Sequence, residues 1–214
     1  MAWAPTRTLT TALGTIVFAA LFFAAVKEGH AGAAVGPNRV GVGHAAAGRD
    51  GGTSSRADLW ISAEADRLSG RKVTVTCAAT AQEWVQRLTE SSFPAAEADE
   101  YYGFSLIRQG EIVLSPYVCE GLRLGAVGSM RRSHELQIAW SVNVLVHETV
   151  HLARFTLDEK LTEACARIAL PIALHRLYRV AYHSAEMRRL TSAATWFRRT
   201  QPAAYQGGTC SAPA

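Results

Sequence analysis

The sequence predicts an α+β, helix-dominated domain. Six runs with apolar residues at helical spacing outnumber three short alternating β-branched or aromatic segments, and Gly- or Pro-marked turns separate them. The chain has 214 residues, a net charge of +4 and four cysteines. Its basic residues are not interleaved with aromatics, which gives no case for nucleic-acid binding.

The first 30 residues read as a targeting segment. Arg7 precedes Leu9 through Val26, a run of 18 residues without a charge, and small residues follow. Such a run also approaches the length that spans a bilayer. Ala31-Gly-Ala33 offers a cleavage site, while Lys27, Glu28 and His30 intervene. An uncleaved signal anchor and a cleaved signal peptide therefore both stay open, the anchor being favoured. The positive flank places the amino end in the cytoplasm and the bulk of the chain outside. The protein is then a single-pass membrane protein with an extracytoplasmic C-terminal domain, or it is secreted. Residues 31–56 are rich in Gly, Ala and Ser without periodicity, and read as a flexible tether.

Residues 57–214 are long enough for one domain with its own core. Ala57 to Leu68 has the pattern of an amphipathic helix, and Arg71-Lys-Val-Thr-Val-Thr76 that of a strand. Thr80-Ala-Gln-Glu83 is a capping box opening a helix to Leu88, with Trp84 on its inner side. Tyr102 to Ile107 and Glu111 to Ser115 flank Gln109-Gly110 and form a hairpin. Ser115-Pro116 reads as an N-cap and first helical position, starting a helix through Leu122.

The most informative stretch follows. Ser133 is placed as the N-cap of a helix that carries Ala139-Trp-Ser-Val-Asn-Val-Leu-Val-His147-Glu148-Thr-Val-His151-Leu-Ala153. Residues four apart lie on one helix face, so the imidazoles of His147 and His151 can converge on one ion. In that arrangement two neutral imidazoles hold Zn²⁺, and Glu148, not itself a ligand, serves as the general base.

A catalytic zinc needs a third protein ligand. Thr156 and Glu159 have capping-box spacing, which places the start of the next helix at Leu157 after a tight reversal at Arg154-Phe155. With two antiparallel neighbours, an ion between His147 and His151 lies level with about residue 162, which selects Glu163. Glu159 stays open as an alternative ligand or an outer partner.

These motifs resemble the gluzincin class of zinc metallopeptidases. Val144-Leu-Val-His-Glu-Thr-Val-His-Leu with Asp158-Glu-x-x-x-Glu-Ala-Cys-Ala is similar, more closely, to a group of uncharacterised exported actinobacterial metallopeptidase-like proteins. The similarity extends upstream to Val75-Thr-Cys77, Trp84 and Ile112 through Cys119. It implies a zincin-like active-site helix pair packed on a small sheet. It also implies that the first Glu of the E-x-x-x-E pair is the ligand, which favours Glu159 where helix geometry favours Glu163. In this class an edge strand beside the metal often pairs with extended substrate, a role open to Ile112 to Leu114, with an ordinary sheet strand as the equal alternative.

The last third is helical. Leu157 to Tyr182 is a long apolar helix expected to kink at Pro171. His175, Tyr178, Tyr182 and His183 are candidates for a donor to an oxyanion, or are packing and surface residues. Ser184 to Thr200 reads as an amphipathic helix whose Arg188, Arg189, Arg198 and Arg199 form a solvated face, or a face toward an anionic membrane. Cys77, Cys119, Cys165 and Cys210 all lie in the exported portion and permit three pairings. Cys77 with Cys119 and Cys165 with Cys210 is preferred, because the second pair ties the tail to the metal-bearing helices.

The reading is an exported zinc metallopeptidase acting on a peptide or protein. A zinc-binding scaffold or interaction module without catalysis is the alternative.

Overall fold

The computed structural model describes residues 56–210 except 96, 97, 99, 100, 129 and 130; the expected signal or anchor at 1–30 and nearly all of the tether at 31–56 lie outside them. Among the described residues, six helices and a three-stranded sheet follow in the order α1 (Arg56–Ser69), β1 (Thr74–Cys77), α2 (Ala81–Glu90), β2 (Gly103–Leu106), β3 (Glu111–Leu114), α3 (Pro116–Ala126), α4 (Glu135–Arg154), α5 (Glu159–Tyr178) and α6 (Ala185–Thr200). A single 3-10 turn, Ala203–Tyr205, follows α6. Among the described residues, no helix is long and apolar enough to cross a membrane.

The α4 helix is the centre of the domain. Every residue from Ile138 to Leu152 is buried, because α1, α3, α5, α6 and the sheet all pack against it. A helix buried on all sides needs such a shell around it, and its buried Ser141, Asn143, His147, Glu148, Thr149 and His151 belong to that interior. Its start differs from the expected one. His134 occupies the N-cap without a side-chain cap, and Ser133 instead turns its hydroxyl to His134 Nδ1 at 2.9 Å.

The sheet has the order β1-β3-β2. β1 runs parallel to β3 with Val75 beside Ile112. α2 lies in the crossover that this parallel pairing demands. β2 and β3 form the expected hairpin, with Phe104 opposite Val113 and Gly110 at φ +67° in its turn. The register corrects one expectation. Ile112 to Leu114 is the central strand, hydrogen-bonded on both sides, and is no free edge; β2 is the edge strand on the α4 side. Trp84 is buried as expected, and its Nε1 donates to the Ala98 carbonyl at 3.1 Å.

Local chemistry sets the helix ends. Thr80 accepts from the Glu83 amide and Ser115 from the Val118 amide, while Ser184 accepts from the Met187 amide. α5 starts two residues later than Leu157. Asp158 is its N-cap, accepting from the Leu161 amide at 3.0 Å, and Thr156 Oγ1 accepts from the Asp158 amide. Asp outcompetes Thr because its carboxylate accepts more strongly beside the positive helix end. α5 continues through Pro171 and stops at Tyr178, where Arg179 takes a left-handed conformation.

Two disulfides close the frame, Cys77–Cys119 and Cys165–Cys210. The first ties the end of β1 to α3. The second ties the C-terminal segment to α5.

Candidate metal centre

His147 and His151 stand one turn apart on the buried face of α4, and the two Nε2 atoms are 3.1 Å from each other. The carboxylate that meets both is Glu159. Its Oε2 lies 2.9 Å from His147 Nε2 and 3.4 Å from His151 Nε2. Glu159 opens α5, where Asp158 caps the first turn by accepting from the Leu161 amide.

Helix geometry selected Glu163 and left Glu159 as the alternative; the structure groups Glu159, not Glu163, with the two Nε2 atoms. Glu163 accepts from His147 at Nδ1, 2.9 Å away, on the opposite edge of the ring from Glu159. Both acids sit on the α5 face toward α4, one turn apart. Level arithmetic along two helices cannot say which ring nitrogen each will meet.

Each imidazole is held by its inner nitrogen. His151 Nδ1 lies 2.7 Å from the Thr156 carbonyl oxygen, an acceptor that requires the proton on Nδ1 and leaves Nε2 for the centre. His147 Nδ1 is directed by Glu163. Glu163, 4 % exposed, is in turn ion-paired to Arg198 Nε of α6, and Arg198 Nη2 donates to Asn143 Oδ1 at 2.9 Å. A charge buried to this degree persists only when paired.

Protonation follows from the same contacts. Burial disfavours the charged form of His147, yet the carboxylates of Glu159 and Glu163 outweigh it and hold its pKa up to about 10. His151 is likewise raised, burial being overcome by Glu159 and the nearby Glu148. Burial pushes Glu159 up, and His147 and His151 more than reverse it, to about 2.

The donor set suits a small tetrahedral cation. Bonds of about 2.0–2.1 Å to such an ion hold its donors roughly 3.3 Å apart. The three separations here are 2.9, 3.1 and 3.4 Å. Among the described residues, His147, His151 and Glu159 are the group able to hold a metal ion.

Glu148 sits beside them, 7 % exposed. Ser105 of the β2 edge places its hydroxyl 2.7 Å from Glu148 Oε2 and 2.9 Å from the Glu148 carbonyl oxygen. Gly103 permits this close approach, since a Cβ there would stand 2.9 Å from Val144 Cγ1. The centre opens into a cavity of about 160 Å³ whose walls include Gly103 and Ser105 of β2, Trp140 of α4, and Tyr205. The Tyr205 ring lies 5.9 Å from that of His147. Burial, with the charges of Glu159 and Glu148 adding to it, pushes its phenol up to about 12, so it remains a hydrogen-bond donor.

The candidate oxyanion donors His175, Tyr178, Tyr182 and His183 do not line this cavity. Tyr178 donates to the Leu122 carbonyl inside the core, and His175 Nδ1 meets the Val180 carbonyl oxygen with its ring against Tyr182. Nor is the α6 arginine row simply solvated: Arg189 pairs with Glu135 and Arg198 with Glu163. Sequence reasoning missed Ser105, Tyr205, Asn143 and Arg198 as parts of the site. Ser105 lay in the hairpin already identified; nothing local marked the other three.

No protein-family model matches the chain, and neither a curated protein nor a solved structure matches it.

Proposed function

We propose that the protein is an exported zinc-dependent peptidase with His147, His151 and Glu159 as ligands and Glu148 as general base. The observation that carries this reading is the convergence of two Nε2 atoms and one carboxylate oxygen within 3.4 Å of one another, beside a second carboxylate and facing a cavity. A bound zinc would act as Lewis acid, polarising what occupies its remaining position. The chain's own residues do the rest. Glu148, oriented by Ser105, takes a proton from the attacking water and returns it to the leaving amine. Glu163 and Thr156 orient the imidazoles, as outer partners of metal-binding histidines generally do. β2 offers extended peptide a free edge for main-chain hydrogen bonds, and Tyr205, which lines the same cavity, supplies a neutral donor.

Three convergent donors and a cavity beside them favour catalysis over a structural site, which is closed by four protein ligands. Two disulfides fit an oxidising extracytoplasmic compartment. The test is metal content and peptide hydrolysis of wild type and Glu148→Gln. The expected result is equal zinc and lost hydrolysis; full hydrolysis by Glu148→Gln overturns the assigned role.

A further inference from the structure

A second cavity of about 220 Å³ lies where α5, α6 and the C-terminal segment meet, and it shares Glu163 and Tyr205 with the metal cleft. Three guanidinium groups line it: Arg167, one turn beyond Glu163 on α5, and the adjacent Arg198 and Arg199 on α6. The one acid in its lining, Glu163, is already matched by Arg198. Arg167 and Arg199 are exposed and have no ion-pair partner among the described residues. Two positive charges are therefore uncompensated in one concave place.

The walls are firmly built. Gly208 lies so near the Lys160 carbonyl that a Cβ would come within 1.9 Å of its oxygen, and Cys210 is bonded to Cys165, which lies between the pocket residues Ala164 and Arg167 on α5. The segment carrying Gly207 and Gly208 is thus seated on α5 and bounds the pocket. Thr195 adds a hydroxyl.

We infer that this pocket binds a carboxylate of the substrate, so that the neighbouring cleft prefers peptides carrying an acidic group close to the bond it holds. The inference rests on the peptidase reading for that second clause alone. A guanidinium fork matches a carboxylate with two parallel hydrogen bonds. Glu163 and Tyr205 line both cavities, so a group held in the pocket lies beside the metal cleft. The carboxylate has two sources, an Asp or Glu side chain or the free end of the peptide.

The experiment uses the zinc-loaded full chain with Glu148→Gln, at low ionic strength, against two pools of random N-acetylated short peptides, one C-terminally amidated and one free acid. Retained peptides are quantified by mass spectrometry. Enrichment of Asp and Glu in the amidated pool by about tenfold, the scale of one charge-assisted contact, assigns a side chain. Preferential retention of the free-acid pool assigns the chain terminus. Either preference is expected to vanish in Arg167→Gln/Arg199→Gln, whose replaced side chains are exposed and whose thermal unfolding is checked in parallel. Retention of no peptide, no acidic preference, or a preference that survives the double variant overturns the inference. Acidic peptides that bind wild type yet are never cleaved would instead remove the peptidase reading and leave the pocket.

Discussion

Glu163 meets His147 at Nδ1, 2.9 Å away, on the ring edge that faces away from Glu159. One imidazole is thus held between two acids of the same helix, and the roles of those acids divide by which nitrogen they reach. Glu159→Ala should abolish stoichiometric zinc binding. Glu163→Ala should retain zinc with affinity weakened about 10- to 100-fold, as loss of an outer partner does. Metal analysis with chelator competition decides, and the reverse order would return Glu163 to the ligand set.

The ion-free centre should titrate against folding at both ends of the pH scale. His147 is raised from 6.5 to about 10, so its contribution to stability is fully present below pH 6.5 and is lost as pH rises through about 10. Glu159 is lowered from 4.5 to about 2, so its contribution is present above pH 4.5 and is lost as pH falls toward 2. Denaturation with chelator present should therefore show this pair's stabilisation greatest between those ordinary values. Zinc must displace the proton from His147, so binding at neutral pH should release protons and weaken as pH falls. Calorimetry in buffers of different ionisation enthalpy measures the release.

Ser105 reaches Glu148 Oε2 at 2.7 Å. Ser105→Ala should leave zinc content unchanged and lower kcat by about tenfold, the value of one hydrogen bond to a charged group. Gly103→Ala should act differently, because the added methyl would stand 2.9 Å from Val144 Cγ1, 3.0 Å from Leu114 Cδ2 and 3.3 Å from Glu148 Cγ. It should destabilise by about 1–3 kcal/mol through overpacking and displace Glu148 as well. Denaturant unfolding and turnover separate the two variants.

The disulfides close loops of similar length, 42 and 45 residues apart in sequence. Replacing either pair by serine should cost about 4 kcal/mol through the freed unfolded chain. Their effects on the site should differ. Cys77→Ser/Cys119→Ser should leave zinc affinity near wild type once folded, whereas Cys165→Ser/Cys210→Ser should also speed amide hydrogen exchange across Ala203–Tyr205, because the 3-10 turn contains no buried residue to hold it in place. Unchanged exchange there would show that Gly208 seats the segment unaided.

By itself the sequence determined what local rules determine. Period-3.6 and period-2 patterns, Ser and Thr caps and a Gly turn produced the helices and the hairpin, and the i, i+4 rule put His147 and His151 on one face with Glu148 beside them. The preferred cysteine pairing also matches the structure. Tertiary structure decided the rest, because those features depend on where separate elements stop and meet. Asp158 displaced Thr156 as the cap, and Glu159 rather than Glu163 reached the outer nitrogens. The parallel partner β1 made Ile112 to Leu114 central and left β2 as the edge. Arg198, which looks solvated along α6, is drawn inward by the buried charge of Glu163, and Tyr205 arrives only because the chain folds back onto α5. Short-range spacing specifies directions on one helix; which groups then converge is set by packing between helices far apart in sequence.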